Sequence, residues 1–265
     1  MESQFFEASV QNRVEEVKTL LLAHPNLKVN WRNPFQWTAL HTICAFGHRK
    51  IVKALLAHPA INVNVLTLNR STPFSFACEF GQLPVVQIMM KDLRVEIAWA
   101  DDEGCTPLWF ASRNGHLDVV EWLIASGRDL GDLAAEGKGG EDRGYSAAEI
   151  ARVSEHERVA ELLERFMTNP AQTRHEVQVE LGLSEAMIAG LFALVIFFCD
   201  GLLQLDQEWQ DSTAARFFSI ASKLPMELQM VLCHRVFGSM KQNILQRDSE
   251  AAFKSVAGVL TEQEE

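Results

Sequence analysis

The side chains best suited to proton transfer, nucleophilic attack or metal binding are the histidines, at positions 24, 41, 48, 58, 116, 156, 175 and 234, and the cysteines, Cys44, Cys78, Cys105, Cys199 and Cys233. A zinc or redox site needs closely spaced ligands such as a Cys-x-x-Cys pair, and a catalytic base needs a partner arrangement of its own. Neither pattern occurs. Instead His24 and His58 stand 34 residues apart, as do Cys44 and Cys78, and His48 and His116 stand at twice that interval. A catalytic group acts once, whereas a structural group recurs with the period of the fold. These residues therefore read as punctuation and packing, and no phosphate-binding glycine loop or nucleophile elbow interrupts the reading. The expectation is a chain with no catalytic residues, no metal and no cofactor, that is, not an enzyme.

The same interval organises the rest of the first two thirds. Thr38-Ala-Leu-His41, Thr72-Pro-Phe-Ser75 and Thr106-Pro-Leu-Trp109 repeat in register, each followed nine residues after its threonine by Gly47, Gly81 or Gly115. Leu-Leu-Ala-His-Pro occurs at 21–25 and again at 55–59, trailed by Val29-Asn30 and Val63-Asn64. A threonine hydroxyl caps free N–H groups at a helix start, proline suits the first helical turn, and glycine ends a helix in the left-handed conformation without a Cβ penalty. The apolar runs at 51–56, 85–90 and 119–124 supply a second helix per unit.

This pattern of period and opening motif resembles the ankyrin repeat, a β-turn followed by two antiparallel helices. The resemblance implies an all-α solenoid with a binding role, and it implies that His41 hydrogen-bonds within its own loop. The register places repeats at 3–36, which is degenerate, and at 37–70, 71–104, 105–143 and 144–170. Ser146 opens the fifth unit 40 residues after Thr106, so six residues have been added in the loop 128–143, where Gly131, Gly137, Gly139 and Gly140 predict a flexible backbone.

After Pro170 the period stops. Helices are expected at 173–182, 184–205 with Ser184 as its cap, 211–223, 225–237 and 249–260, forming a C-terminal helical capping domain over 171–265. The uncharged run 186–199 is shorter than the roughly 20 residues of a membrane span and reads as a core helix. The string Leu-Pro-Met-Glu-Leu at 224–228 resembles the start of an F-box helix, which implies the alternative of a substrate adaptor of a ubiquitin ligase. It also matches generic helix-start chemistry.

A net charge of −11 argues against nucleic acid, whose sequence-independent binding depends on clustered Lys and Arg. The N-terminus carries no cationic and apolar leader, and no long apolar run calls for a membrane. A cytoplasmic or nuclear monomer is expected.

Binding residues follow from the resemblance, because the loops and the positions just ahead of each helix-ending glycine carry little structural duty in such stacks. In this register they include Phe35, Trp37, Phe46, Glu79, Phe80, Asp102, Glu103, Arg113 and Asn114. Exposed aromatics at such positions mark a contact surface, and the acidic neighbours favour a protein or peptide partner that is both basic and apolar. Because the apolar end of a repeat array must be covered, deleting 171–265 is expected to lower the melting temperature or cause aggregation. A fragment 1–170 as stable and monomeric as the whole chain would contradict the capping role.

Overall fold

The computed structural model describes residues 1–138, 143–183 and 190–196, with positions 221, 226, 229, 230, 233 and 252. It divides into two compact units, Met1–His175 and Glu176–Glu265. Among the described residues the first unit is built from helix pairs: α1 (Glu2–Val10) with α2 (Val14–Ala23), α3 (Ala39–Ala45) with α4 (Arg49–Leu56), α5 (Pro73–Glu79) with α6 (Leu83–Met89), α7 (Pro107–Arg113) with α8 (Leu117–Ala125), and α9 (Ala147–Val153) with α10 (Glu157–Thr168). Helices α1, α3, α5, α7 and α9 pack in one layer, and α2, α4, α6, α8 and α10 in the other. The fold is an all-α solenoid.

The caps form where the sequence puts them. Thr72 Oγ1 accepts from Ser75 N at 3.1 Å and Thr106 Oγ1 from Trp109 N at 3.2 Å. Ser146 and Glu149 form a capping box, Ser146 N donating to Glu149 Oε2 at 2.9 Å. At Thr38 the fourth residue is His41, whose Nδ1 accepts from Thr38 N at 3.1 Å. That bond leaves the ring proton on Nε2, and burial lowers the imidazole pKa from 6.5 to about 4, with the Ser71 and Val65 carbonyls pulling the other way and Arg32 adding to the fall. His41 is a neutral core residue, bonded in its own loop.

Helix ends bind the repeats together. Gly47, Gly81 and Gly115 have φ of 74°, 62° and 70°, and the residue after each glycine reaches back to the preceding unit. His48 Nε2 meets the Val10 carbonyl at 3.0 Å, Gln82 Nε2 donates to the Ala45 carbonyl at 3.0 Å, and His116 Nε2 meets the Glu79 carbonyl at 2.9 Å. In the fifth unit Glu155 takes the left-handed position without being glycine, at φ 65°.

The layers close over fully buried side chains: Leu40, Ile43, Cys44, Phe74, Ala77 and Cys78 from the first layer, and Ile51, Leu55, Val85, Met89, Val119 and Leu123 from the second. Burial pushes the Cys44 and Cys78 thiols well above the ordinary range. Small polar Ser112 fills the equivalent place in the next repeat and satisfies its hydroxyl on the Leu108 carbonyl at 2.7 Å.

Two expectations need correction. The inserted loop carries specific bonds over its described part: Arg128 donates to the Met90 and Val95 carbonyls, Lys138 N donates to the Glu103 carbonyl at 2.6 Å, and Gly144 N donates to the Gly137 carbonyl at 2.7 Å. Gly137 serves close approach here, since a Cβ on it would lie 3.2 Å from Cys105 Sγ and 3.4 Å from the Trp109 ring. The helix expected at 173–182 is α11 (Pro170–Glu180). It begins earlier because Asn169 Oδ1 accepts from Gln172 N at 3.3 Å and Pro170 fits the first turn.

In the second unit, Phe192, Val195, Ala221 and Cys233 form a buried cluster against which Leu191, Ile196 and Met230 pack. Residues 190–196 are helical, and no helix among the described residues is long and apolar enough to cross a membrane. Gly139, Gly140, Ser184, Cys199, most of the four helices expected after 183, and the string at 224–228 apart from Met226 lie outside the described residues.

A Cβ at Gly81 would come within 2.6 Å of His116 Nδ1, besides straining a β-branched residue at positive φ. Gly81→Val is expected to cost about 2 kcal/mol or more, read as a fall in the denaturant midpoint. An unchanged midpoint would mean that the inter-repeat bond of His116 contributes nothing.

Candidate functional site

The loops ahead of α3, α5 and α7 each close in a tight hairpin. Asn33 N donates to the Trp37 carbonyl at 2.9 Å, Thr67 N to the Ser71 carbonyl at 3.1 Å and Asp101 N to the Cys105 carbonyl at 3.1 Å. The first side chain pins the turn: Asn33 Oδ1 accepts from Phe35 N and Trp37 N, and Asp101 Oδ1 accepts from Glu103 N and Cys105 N, all at 2.9–3.0 Å. Gln36, Arg70 and Gly104 occupy the left-handed position of the three turns. Neighbouring loops are also joined, Asp102 N donating to the Asn69 carbonyl at 3.1 Å. Between these anchors the turns leave Phe35 and Leu68 largely exposed.

Between these loops and helices α5 and α7 lies a groove of about 470 Å³. Its apolar wall is Phe35, Trp37, Leu68, Phe76 and Phe110; its polar wall is Glu79, Asp101 and Glu103, with Thr67, Asn69 and Ser71 between. Phe35 and Leu68 are 74% and 71% exposed, so the loop tips present apolar surface to solvent. Trp37 is half-buried, its ring centroid 4.5 Å from that of Phe76.

Four of the nine candidate residues, Phe35, Trp37, Glu79 and Glu103, line this groove. Phe46 and Phe80 are the C-cap residues of α3 and α5, 61% and 51% exposed, and do not line it. Asn114 holds the same place on α7 and donates from Nδ2 to the Phe110 carbonyl at 3.0 Å. Asp102 faces Arg70, with Nε at 3.5 Å, and Arg113 lies over the Trp109 ring at 5.9 Å.

Phe76 and Phe110 also join the groove, and neither is among the nine candidates. The signal was present: both stand four residues after the capping threonine, whereas the buried positions of α5 and α7 are one, two, three, five and six residues after it. A seven-residue helix turns its fourth residue away from the core side, and both rings are half-buried. Asp101, also outside the nine, both pins its turn and lines the groove.

Electrostatically the polar wall is unbalanced. Burial raises the pKa of Glu79, Arg113 opposes the rise and Asp101 adds to it. Asp101 is also raised, first by burial and then by Glu103 and Asp102, despite the two backbone N–H groups it accepts. No Lys or Arg lines the groove. No group of three or more metal-ligating side chains occurs among the described residues.

Residues 5–98 and 60–134 match the family described as ankyrin repeats (3 copies). This repeat array belongs to the ankyrin-repeat family, a protein–protein interaction module whose members are in general non-catalytic. No curated protein matches the chain.

A carboxyl whose folded-state pKa lies above its unfolded value stabilises the fold below the usual carboxylate range, and that contribution is lost as pH rises through the raised value. At pH 7 the ionised Glu79 therefore opposes folding. Glu79→Gln is expected to raise the denaturant midpoint at pH 7, with the gain vanishing toward pH 4. A lower midpoint at pH 7 would show that Glu79 supports the fold rather than waiting for a ligand.

Proposed function

We propose that the chain is a non-catalytic adaptor that binds a protein or peptide segment in the groove between loops 33–37, 67–71 and 101–105. The observation that carries this reading is the juxtaposition of largely exposed Phe35 and Leu68 with three carboxylates and no cation. The fold itself asks for neither: an apolar side chain in water at a loop tip gains nothing from the solenoid, and desolvated carboxylates oppose folding. Both features become favourable when a basic and apolar partner covers them. The charges act chiefly on specificity and encounter rate, and the aromatic wall on affinity. Buried unpaired thiols at Cys44 and Cys78 suit a reducing compartment, which favours the cytoplasm or nucleus.

Partners captured by the full-length chain and by its Phe35→Ala variant, quantified side by side, test the reading. Phe35 is so exposed that its truncation is expected to leave the melting temperature unchanged while weakening capture by about 2 kcal/mol. Trp37→Ala should weaken capture as well, but with a loss of stability, because its ring packs on Phe76. Partners held equally well by wild type, Phe35→Ala and Trp37→Ala would place the binding surface elsewhere.

A further inference from the structure

The chemistry of the groove narrows what can fill it. Its lining includes the aromatic rings of Phe35, Trp37, Phe76 and Phe110, and the face of such a ring attracts a cation through its negative quadrupole. Two of its three carboxylates, Glu79 and Asp101, are partly withdrawn from water, so a group entering beside them must give up its own hydration. A compact ammonium is strongly hydrated, whereas a guanidinium is weakly hydrated, lies flat on a ring and donates in two directions in its plane. The chain itself uses this combination at the groove's edge. Arg70 lies over the Trp99 ring at 5.5 Å with its Nε 3.5 Å from Asp102, and Arg113 lies over Trp109 while favouring ionised Glu79. The groove has the same two kinds of partner without a lining cation of its own.

Resting on the adaptor reading above, we propose that the occupant is an arginine side chain in an extended segment of a partner protein. Its guanidinium lies against the aromatic wall and donates to Glu79, Asp101 and Glu103, with an apolar neighbour in the segment covering Phe35 and Leu68. Asp101 presents its carboxylate in a fixed pose because two turn N–H groups hold Oδ1, and Lys138 N on the Glu103 carbonyl ties the loop that carries the third carboxylate. The acidic wall is therefore preorganised, which favours a forked donor over a flexible one.

Random peptides displayed on phage and selected on the full-length chain supply the probes. Recovered peptides are made as fluorescein conjugates, each with its arginine kept, changed to lysine, or changed to uncharged citrulline. The expected result is enrichment of arginine next to an apolar residue, a loss of about 30-fold or more with citrulline, and an intermediate loss with lysine. Glu79→Gln combined with Glu103→Gln should abolish the difference between arginine and citrulline, and thermal unfolding of that variant confirms that it is folded. Peptides that need Phe35 but bind as well with citrulline would overturn the arginine proposal and leave the groove as the binding site. Peptides that bind the Phe35→Ala variant unchanged, or a library that yields no binder, would overturn both.

Discussion

A helix pair of this size cannot enclose its own apolar side chains. Helix α3 has seven residues, all buried, and α4 has eight with one apolar stripe, so each needs a neighbour on both sides. Stacking is the constraint on which the rest of the structure depends, and it explains why the same residue types return at fixed places. The left-handed glycine brings the chain close enough for the next unit's His116 or Gln82 to reach a carbonyl of the unit before. A Cβ there would occupy the space that the reaching side chain needs, so the backbone conformation and the inter-repeat bond are one device.

Stacking also divides each repeat into positions with structural duty and positions without. In α5 and α7 the core claims the residues one, two, three, five and six after the capping threonine. The hairpin claims its first residue as an acceptor for two N–H groups. What remains are the loop tips, the fourth helical residue and the residue before the glycine. Because the units are in register, these free positions line up across three repeats, and side chains distant in sequence, such as Phe35, Phe76 and Phe110, become one wall.

The electrostatics of that wall follow from the same geometry. Asp101 is placed by the turn it stabilises, Glu79 by the end of α5, and Glu103 by a loop tip that the inserted segment holds. The desolvation of Glu79 and Asp101 is a cost to folding that Arg113 offsets in part at Glu79 and that a cation entering the groove would relieve further. The inserted segment acts here as a brace, since its amide at Lys138 bonds the loop that carries Glu103.

The sequence alone determined the architecture of the array, because periodicity is a local property: threonine caps, left-handed glycines, alternating helix faces and the loop insertion all show within a few residues of one another. It also set the expectation that the histidines recurring with the period are structural, and His48 and His116 do bond back to the preceding repeat. Tertiary structure alone decided which free residues meet. Phe35 and Glu103 share a groove while Phe46 and Phe80 stand outside it, although all four occupy variable positions. Phe110 lines the groove, and Gly131 and Gly137, expected to loosen the 128–143 loop, are instead sites of close approach. The physical reason is distance: caps and turns are set by neighbours in the chain, whereas burial, desolvation and the meeting of an aromatic wall with carboxylates depend on how one repeat lies on the next.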